Sequence, residues 1–326
     1  MQQMKNLRIK ILMTALTLSA IFWGCDSLIY DDLEDCPQGV YVKFFSMTPC
    51  AVDSTFIGEA SSLTVFAFDE EGKLVRSVSK QNITLNRDFE VLVPVSNGNF
   101  SFIAWTGVNE NFTRSTFSSG ITTKKDVMLA IKSSESRAVS LSNTERIWQG
   151  ESPTVFLPDP EKSGSLYKHT KINLHELTNR VKVIVEFDAT ITELKPQDLA
   201  VAVSSANGTI NIDGSMPYNS PVIYYPQQNT VYTDNSVTWN FSMLELVTGY
   251  HNNLTINYPK TGQQVFNGDL IGSILMNTVN GGINLNCEND FTIKFVLKDY
   301  CAECGTNFSC AIYVNNWLVH SYSTDL

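Results

Sequence analysis

Residues 178–187 read Thr178-Asn179-Arg180-Val181-Lys182-Val183-Ile184-Val185-Glu186-Phe187. Positions 181, 183, 185 and 187 are apolar and share one face of an extended backbone, whereas Arg180, Lys182 and Glu186 share the other. Alternation with period two is typical of a β-strand with one buried face. The stretch therefore predicts a sheet that covers a hydrophobic core.

Further apolar runs with short polar turns between them extend this pattern along the chain. The runs on either side of Asp69-Glu70-Glu71-Gly72 predict a β-hairpin in which Gly72 has a positive φ. The runs at 89–95 and 100–105 flank Asn97-Gly98 and predict a second strand pair. Long stretches with helical periodicity are absent from the sequence, so we predict an all-β fold of tandem antiparallel β-sandwiches.

The length of 326 residues suits two domains of about 150 residues each. Pro158, Pro160 and Gly164 interrupt the strand pattern, and we place the domain boundary within 157–172. Strands at 126–131 and 147–156 are expected to complete the first domain. The predicted division is a signal peptide at 1–24, an acidic tether at 25–38, an N-terminal β-sandwich at 39–165 and a C-terminal β-sandwich at 166–326.

The first 25 residues have the organisation of a lipoprotein export signal. Basic residues precede an uncharged apolar run at 11–23, and Gly24 lies immediately before Cys25. This run is shorter than the roughly 20 residues that a membrane-spanning helix needs. We predict cleavage after Gly24 and lipidation of Cys25 by acyl chains such as palmitate. An ordinary secretory signal ahead of a structural cysteine is the alternative.

The charge balance excludes whole classes of partner. The chain has 23 Lys and Arg against 33 Asp and Glu, for a net charge of −10, and three of the bases lie in the predicted signal. This acidity argues against nucleic acid and against electrostatic binding to anionic lipids. The membrane link is therefore expected to be covalent. Five acidic residues follow the lipidation site and predict a solvated tether: Asp26, Asp31, Asp32, Glu34 and Asp35.

Six cysteines remain once Cys25 is set aside, and an exported chain is expected to use them in disulfides. Fifteen pairings are possible, and proximity in sequence suggests Cys36 with Cys50 and pairing within the last four. A four-thiolate zinc site in that last group is the alternative, because two of its members have C-x-x-C spacing. The oxidising compartment favours disulfides, so we predict no metal. The six candidates are Cys36, Cys50, Cys287, Cys301, Cys304 and Cys310.

No catalytic motif stands out in the sequence. His175-Glu176 could begin a zinc-protease helix, but position 179 is Asn and the second histidine ligand is missing. A G-x-S-x-G elbow, a phosphate-binding loop and a G-x-G-x-x-G fingerprint are also absent from the sequence. We therefore predict a protein that is not an enzyme, has no cofactor and has no small-molecule substrate. Four tryptophans could form a sugar platform, although their strand-like context favours burial in the core: Trp105, Trp148, Trp239 and Trp317.

Several motifs occur in a fixed order along the chain. They are the acidic segment 25–36 ahead of a strand at 40–45, the hairpin at 63–75, the segment 177–181, and Val314-Asn315-Asn316-Trp317. In this order they resemble the FimB-type fimbrial anchor lipoproteins of the Bacteroidetes, of the minor-fimbria anchor class. The resemblance covers nearly the whole mature chain.

The resemblance implies two transthyretin-like β-sandwich domains on a lipid tether, at the surface of the outer membrane and at the base of a fimbrium. It also implies contact with a fimbrial stalk subunit by strand addition, in which main-chain hydrogen bonds supply affinity. The anchor's own groove would stay closed, which would limit filament length. The C-terminal strand at about 311–326 would pair with the stalk subunit, and the side chains expected to carry the contact are Val314, Leu318 and Val319.

Two alternatives stay open at this point. The C-terminal strand could instead close its own domain, because alternation marks a strand without naming its partner. A surface glycan-binding lipoprotein of a polysaccharide-uptake system would share the signal, the tether and the β-sandwiches. Aromatic residues exposed together on one face would favour glycan binding, and a free sheet edge would favour strand addition.

Overall fold

The computed structural model describes residues 36–191, 195–217, 220–275, 283–298, 308–314 and 317–324. For 308–310, 314 and 317–324 this description covers the backbone and its strand pairing. The predicted signal peptide, Cys25, nearly all of the tether, and both Cys301 and Cys304 lie outside the described residues.

The described residues are almost entirely strand. The strands of the first half are β1 (Gln38–Phe45), β2 (Gly58–Phe68), β3 (Leu74–Leu85), β4 (Glu90–Pro94), β5 (Gly98–Thr106), β6 (Phe112–Arg114), β7 (Val127–Ile131), β8 (Ser133–Ser134), β9 (Arg137–Ala138), β10 (Trp148–Glu151) and β11 (Val155–Leu157). Those that follow are β12 (Leu166–Asn173), β13 (His175–Glu176), β14 (Thr178–Phe187), β15 (Ala200–Ser205), β16 (Thr209–Asn211), β17 (Val222–Tyr224), β18 (Val231–Tyr232), β19 (Ser236–Leu244), β20 (Asn252–Tyr258), β21 (Gln263–Asp269), β22 (Asp290–Lys298), β23 (Phe308–Val314) and β24 (Trp317–Thr324). The helical segments are α1 (Pro160–Ser163), a 3-10 turn (Pro196–Asp198) and α2 (Leu270–Leu275).

The strands form five sheets, which we name A to E. Sheet A has the order β12-β1-β4, and sheet B has the order β13-β10-β5-β2-β3 with β11 also on β5. Sheet C has the order β18-β19-β14-β22-β23-β24, sheet D the order β21-β20-β15-β17-β9-β8, and sheet E the order β16-β7-β6. Most neighbours are antiparallel, whereas β1 with β12, β14 with β22 and β9 with β17 are parallel. The predicted all-β class is confirmed.

The strand predicted at 178–187 is β14. The apolar positions of its alternating pattern are the buried ones in the structure. Val181, Val183, Val185 and Phe187 are each at most 4% exposed. The strand pairs with β19 on one side and with β22 on the other. It is therefore an inner strand of sheet C, and its apolar face contributes to the core beneath that sheet.

One of the two predicted hairpins forms, and the other does not. β2 and β3 pair in antiparallel register around the acidic turn, and Gly72 has a φ of +73°. β4 and β5, in contrast, flank Asn97-Gly98 but belong to different sheets, because β4 pairs with β1 and β5 with β2. The prediction of a hairpin at Asn97-Gly98 is wrong. The turn instead carries the chain from sheet A across to sheet B.

The two halves of the chain are interleaved. β7 was expected to complete the first domain, yet it pairs with β16 in the second half, and β9 likewise pairs with β17. β12 lies beyond the predicted boundary at 165/166 but pairs in parallel with β1 along all eight of its residues. These pairings place 166–173 with the first sheet and 127–138 with the second half. The division into two domains stays a prediction.

Two hydrophobic cores explain the layering. The small core lies between sheets A and B and includes Val42, Val65 and Phe102. The large core lies on the opposite face of sheet B, to which Phe66 and Trp105 belong. It also includes residues of sheets E, D and C, such as Phe295. Sheet B is therefore covered on both faces, which explains why β5 is buried at nearly every position.

The disulfide found in the structure joins Cys50 in the β1–β2 loop to Cys287 in the loop before β22, with 5.8 Å between their Cα atoms. The expected pairing of Cys36 with Cys50 is wrong, because Cys36 is a free and exposed thiol. Proximity in sequence was a poor guide to the pairing, since Cys50 and Cys287 are 237 residues apart. Cys287 is also no longer available as a thiolate, so the four-thiolate zinc alternative loses one of its ligands.

In the described part of the chain, no helix has the length and apolar character needed to cross a membrane.

Removing this disulfide should lower stability. A cross-link that closes so long a loop restricts the unfolded chain, and its loss is expected to lower the free energy of unfolding by about 5 kcal/mol. The paired substitution Cys50→Ser with Cys287→Ser tests this by urea denaturation without reductant. Cys36→Ser is the control and should match the parent. Equal urea midpoints for the paired variant and the parent would contradict the expectation.

Candidate functional site

The C-terminal segment forms a hairpin at one edge of sheet C. β23 pairs with β22 from Ile293 to Lys298, and β24 pairs with β23 from Phe308 opposite Thr324 to Val314 opposite Trp317. β24 is thus a terminal strand of its sheet, with one side unpaired within the described structure. An unpaired strand edge offers a row of backbone donors and acceptors to another chain.

This hairpin corrects the expectation of one continuous strand at 311–326. Val314 ends β23, whereas Leu318 and Val319 belong to β24. The chain reverses after Val314, so these three residues lie on two antiparallel strands. The identity of their partner stays a prediction.

The order of strands fixes where the edge strand ends. β1 starts two residues after Cys36 and runs parallel to β12, so both strands finish at the same end of sheet A. β14 begins a few residues later, and its start lies opposite Asp290 at the beginning of β22. The antiparallel hairpin then brings Thr324 to the Lys298 end of sheet C. β24 therefore ends at the far end of its sheet from the place where the halves meet.

A cluster of charged and amide side chains lies at that meeting point. We call it the junction cluster: Arg146, Glu176, Asn179, Arg180, Asn289 and Asp290. The Glu176 carboxylate is only 3% exposed and accepts hydrogen bonds from Arg146 Nη1 at 3.0 Å and from Arg180 Nη1. Arg180 also donates to both oxygens of Asp290, from Nε at 2.6 Å and from Nη2 at 2.9 Å. One guanidinium thus joins β13, β14 and β22, and Arg146 connects them to the first half.

The electrostatics of the junction cluster follow from these contacts. Burial disfavours the charged guanidinium, but the hydrogen bonds to Asp290 and Glu176 outweigh it and raise the pKa of Arg180. The hydrogen bonds from Arg180 lower the pKa of Asp290, against the smaller opposing effect of burial. Both groups are therefore charged at neutral pH. His175-Glu176 is a strand here, so the zinc-protease helix does not form.

Loss of Arg180 should destabilise the fold. Arg180→Ala removes one of the two guanidinium partners of the buried Glu176 carboxylate, and breaking a buried ion pair by removing one partner costs about 3 kcal/mol. Lys182→Ala, one step along the same face of β14, is the matched control and should change stability by less than about 0.5 kcal/mol. Urea denaturation at pH 7 measures both, and equal midpoints for the two variants would contradict a structural role of the cluster.

Glu245 follows β19 and lines a cleft together with Leu246, Leu275 and Leu285. Burial raises its pKa to about 7. The unfolded chain releases this proton first as the pH rises, so the folded state loses stability between the ordinary value of 4.5 and about 7.

Glu245→Gln should remove this pH dependence. The variant is expected to be more stable than the parent by about 2 kcal/mol at pH 8 and equally stable at pH 4, because only the ionised carboxylate is penalised. Thermal unfolding across that range measures it, with the exposed Glu288→Gln as control. A constant difference between variant and parent at all pH values would refute the assignment.

The remaining candidates from the sequence are dispersed. Trp105 and Trp239 are 1% and 2% exposed and belong to the core, Trp148 is half-buried, and Trp317 is placed in β24. No cluster of three or more His, Cys, Asp or Glu side chains suited to a metal ion occurs among the described residues. Sequence reasoning missed the junction cluster and the Cys50–Cys287 disulfide. The only available signal was Arg180 beside a strand start, and it does not name Glu176 or Asp290.

Comparison with known proteins identifies the family. The family model of the fimbrillin-A associated anchor proteins Mfa1 and Mfa2 matches residues 33–323. The chain belongs to this family. The resemblance inferred from the ordered motifs is confirmed.

Individual members of the fimbrillin-A associated anchor family agree with this. The minor fimbrium anchoring subunit Mfa2 of Porphyromonas gingivalis is 33% identical over 331 residues, which cover the whole of both chains. The solved structure of the fimbrial anchor protein Mfa2 from Porphyromonas gingivalis has a TM-score of 0.79 at 31% identity and covers 88% of this chain and all of its own.

More distant structures share the fold. A structure from Bacteroides thetaiotaomicron, described as a polysaccharide-binding protein, has a TM-score of 0.70 at 20% identity and covers 87% of this chain and 98% of its own. An adhesin from the same organism has a TM-score of 0.68 at 19% identity and covers 89% of this chain and 99% of its own. These relatives are named as anchors, adhesins or binding proteins and not as enzymes.

Proposed function

We propose that this protein anchors fimbriae to the outer membrane and limits filament length. The observation that carries the proposal is its full-length similarity to the minor fimbrium anchoring subunit Mfa2 at 33% identity. The partner in this proposal is a fimbrial stalk subunit. The role is structural, without catalysis and without a cofactor.

The membrane link of the proposal is covalent. The signal at 1–24 ends in Gly24 before Cys25, and acyl chains on one cysteine contribute about 0.8 kcal/mol for each buried CH₂ group. Two or three chains hold a protein durably to a bilayer. The acidic tether then keeps the folded domains away from the lipid and, by the family resemblance, directs the protein to the cell surface.

The filament link of the proposal is β24. This strand is the last in the described chain, lies at the edge of sheet C and ends at the far end of that sheet from the junction cluster. We propose that β24 leaves β23 and fills an open groove in the adjoining stalk subunit. β1 and β14 meanwhile have neighbours on both sides, which supports a closed anchor that accepts no further subunit. A subunit that donates a strand but accepts none ends the filament.

Locking the C-terminal hairpin tests this donation. Ser309 and Ser323 lie opposite each other in the β23–β24 register, so the pair Ser309→Cys with Ser323→Cys can cross-link the two strands. The locked protein should leave filaments unattached and shed into the medium. Reduction should restore attachment. Filaments that stay attached at normal length while the cross-link is intact would refute strand donation.

A matched control for this experiment lies at the opposite edge of the same sheet. β18 is also a terminal strand of sheet C, with Val231 and Tyr232 exposed. Val231→Asp should leave filament attachment unchanged, because this edge has no part in the proposed contact. The parent treated with the same reductant controls for opening of the Cys50–Cys287 disulfide.

Replacement of the lipidation site tests the membrane link by itself. Cys25→Ala should abolish labelling of the protein by a fatty-acid analogue and release it from the membrane fraction, because the thioether to diacylglycerol can no longer form. Cys36→Ala, eleven positions further along the chain, is the control and should keep the label. Label that persists on the Cys25 variant would contradict lipidation at this residue.

A further inference from the structure

A cavity of about 450 Å³ opens at the end of the small core, between the β1–β2 loop and the starts of β2 and β10. We call it the end cavity. Its floor includes Ile57, Ala60 and Trp148, each half-buried against the small core, and Phe56 stands on its rim with 40% exposure. Small-molecule sites typically have volumes of about 300–1,000 Å³ and an aromatic or apolar lining with a few convergent polar groups.

Polar side chains surround this floor, two carboxylates that accept hydrogen bonds, one guanidinium that donates them and one amide that does both: Glu59, Glu145, Arg146 and Asn109. Glu145 is held in place by donors from Asn109, Asn111 and the Ser142 amide. Arg146 donates a hydrogen bond from Nη1 to Glu176, and its side chain is still 46% exposed. The rim therefore offers carboxylate acceptors beside amide and guanidinium donors.

The wall of the end cavity is fixed by the fold. The β1–β2 loop is closed by the Ser46–Thr55 backbone pair at 2.9 and 2.8 Å, and the Asn173 amide holds Met47 through both of its backbone groups. The Cys50–Cys287 disulfide attaches the loop to the second half. Gly107 lets β5 end directly against the chain at Arg146, since a Cβ there would lie 1.9 Å from the Arg146 carbonyl oxygen. Such preorganisation reduces the entropy that ligand binding must overcome.

We infer that the end cavity binds a neutral saccharide, with the indole of Trp148 and the ring of Phe56 against its apolar face. A sugar ring has an apolar C–H face for the aromatic groups, and its hydroxyls both donate to Glu59 and accept from Arg146 and Asn109. Acidic glycans are disfavoured, because the rim has two carboxylates against one guanidinium and the chain carries a net charge of −10. The inference does not rest on the anchoring role.

The test uses the full chain purified in detergent and isothermal titration calorimetry. The probes are cellotetraose, mannotetraose and N-acetyllactosamine, with sialyllactose as the acidic comparator. At least one neutral probe should bind with a Kd below about 1 mM, and sialyllactose should bind at least about tenfold more weakly. Failure of all three neutral probes to bind would overturn the inference, and so would equal or tighter binding of sialyllactose.

Variants assign the binding to the cavity. Phe56→Ala and Glu59→Gln alter exposed rim residues and should each weaken binding by about tenfold without changing thermal stability. Trp148→Ala should weaken it further, and Trp148→Phe should restore part of the affinity. Phe156→Ala removes an aromatic ring that is 54% exposed away from the cavity and should bind like the parent.

Unchanged affinity in both rim variants would overturn the inference. Rim variants that lose filament attachment while saccharide affinity is unchanged would overturn it too, and would place a protein segment in the cavity.

Discussion

The double pairing of β14 is the constraint on which the rest of the structure depends. This strand has β19 on one side and β22 on the other for nearly its whole length, and its alternate valines are fully buried. The polar residues at its start have a second role, because Arg180 bridges Glu176 and Asp290 where the two halves meet. A buried carboxylate tolerates few other arrangements, so the cluster specifies how β14 and β22 start together. The strand thus fixes sheet C and, at its beginning, fixes sheet C to the first half.

Interleaving makes the two halves mechanically dependent on each other. β7 and β9 come from the first half of the sequence but complete sheets E and D with strands from the second. The Cys50–Cys287 disulfide spans the same division by a covalent path. Neither half could separate without losing strand pairs, part of the large core and the disulfide. For a protein proposed to connect a membrane to a filament, this arrangement transmits load through many bonds instead of through one linker.

The sequence predicted strands better than it predicted their partners. Period-two alternation identified β14, and the acidic turn with Gly72 identified the β2–β3 hairpin, because both signals are local. The Asn97-Gly98 turn has the same local chemistry but connects two layers, and nothing within its neighbourhood in sequence distinguishes these outcomes. The Cys50–Cys287 pairing, the parallel β1–β12 pair and the Arg180–Asp290 ion pair all join residues more than 100 positions apart. The family motifs were informative because their order along the whole chain was compared, and not only the local sequence around each of them.

The geometry of the terminal strands suggests where a loaded anchor would yield. β1 is the first strand after the tether and lies between β4 and β12, so a pull along it shears two rows of hydrogen bonds at once. Among the residues that the structure describes, β24 is paired on one side only, along β23. A strand donated to a stalk subunit gains neighbours on both sides of the acceptor groove, whereas the same strand at the edge of sheet C has one. Release from β23 followed by insertion would therefore convert a one-sided attachment into one that resembles β1. In the proposed function, this difference in pairing supplies a physical reason for an edge strand, and not an inner strand, to make the filament contact.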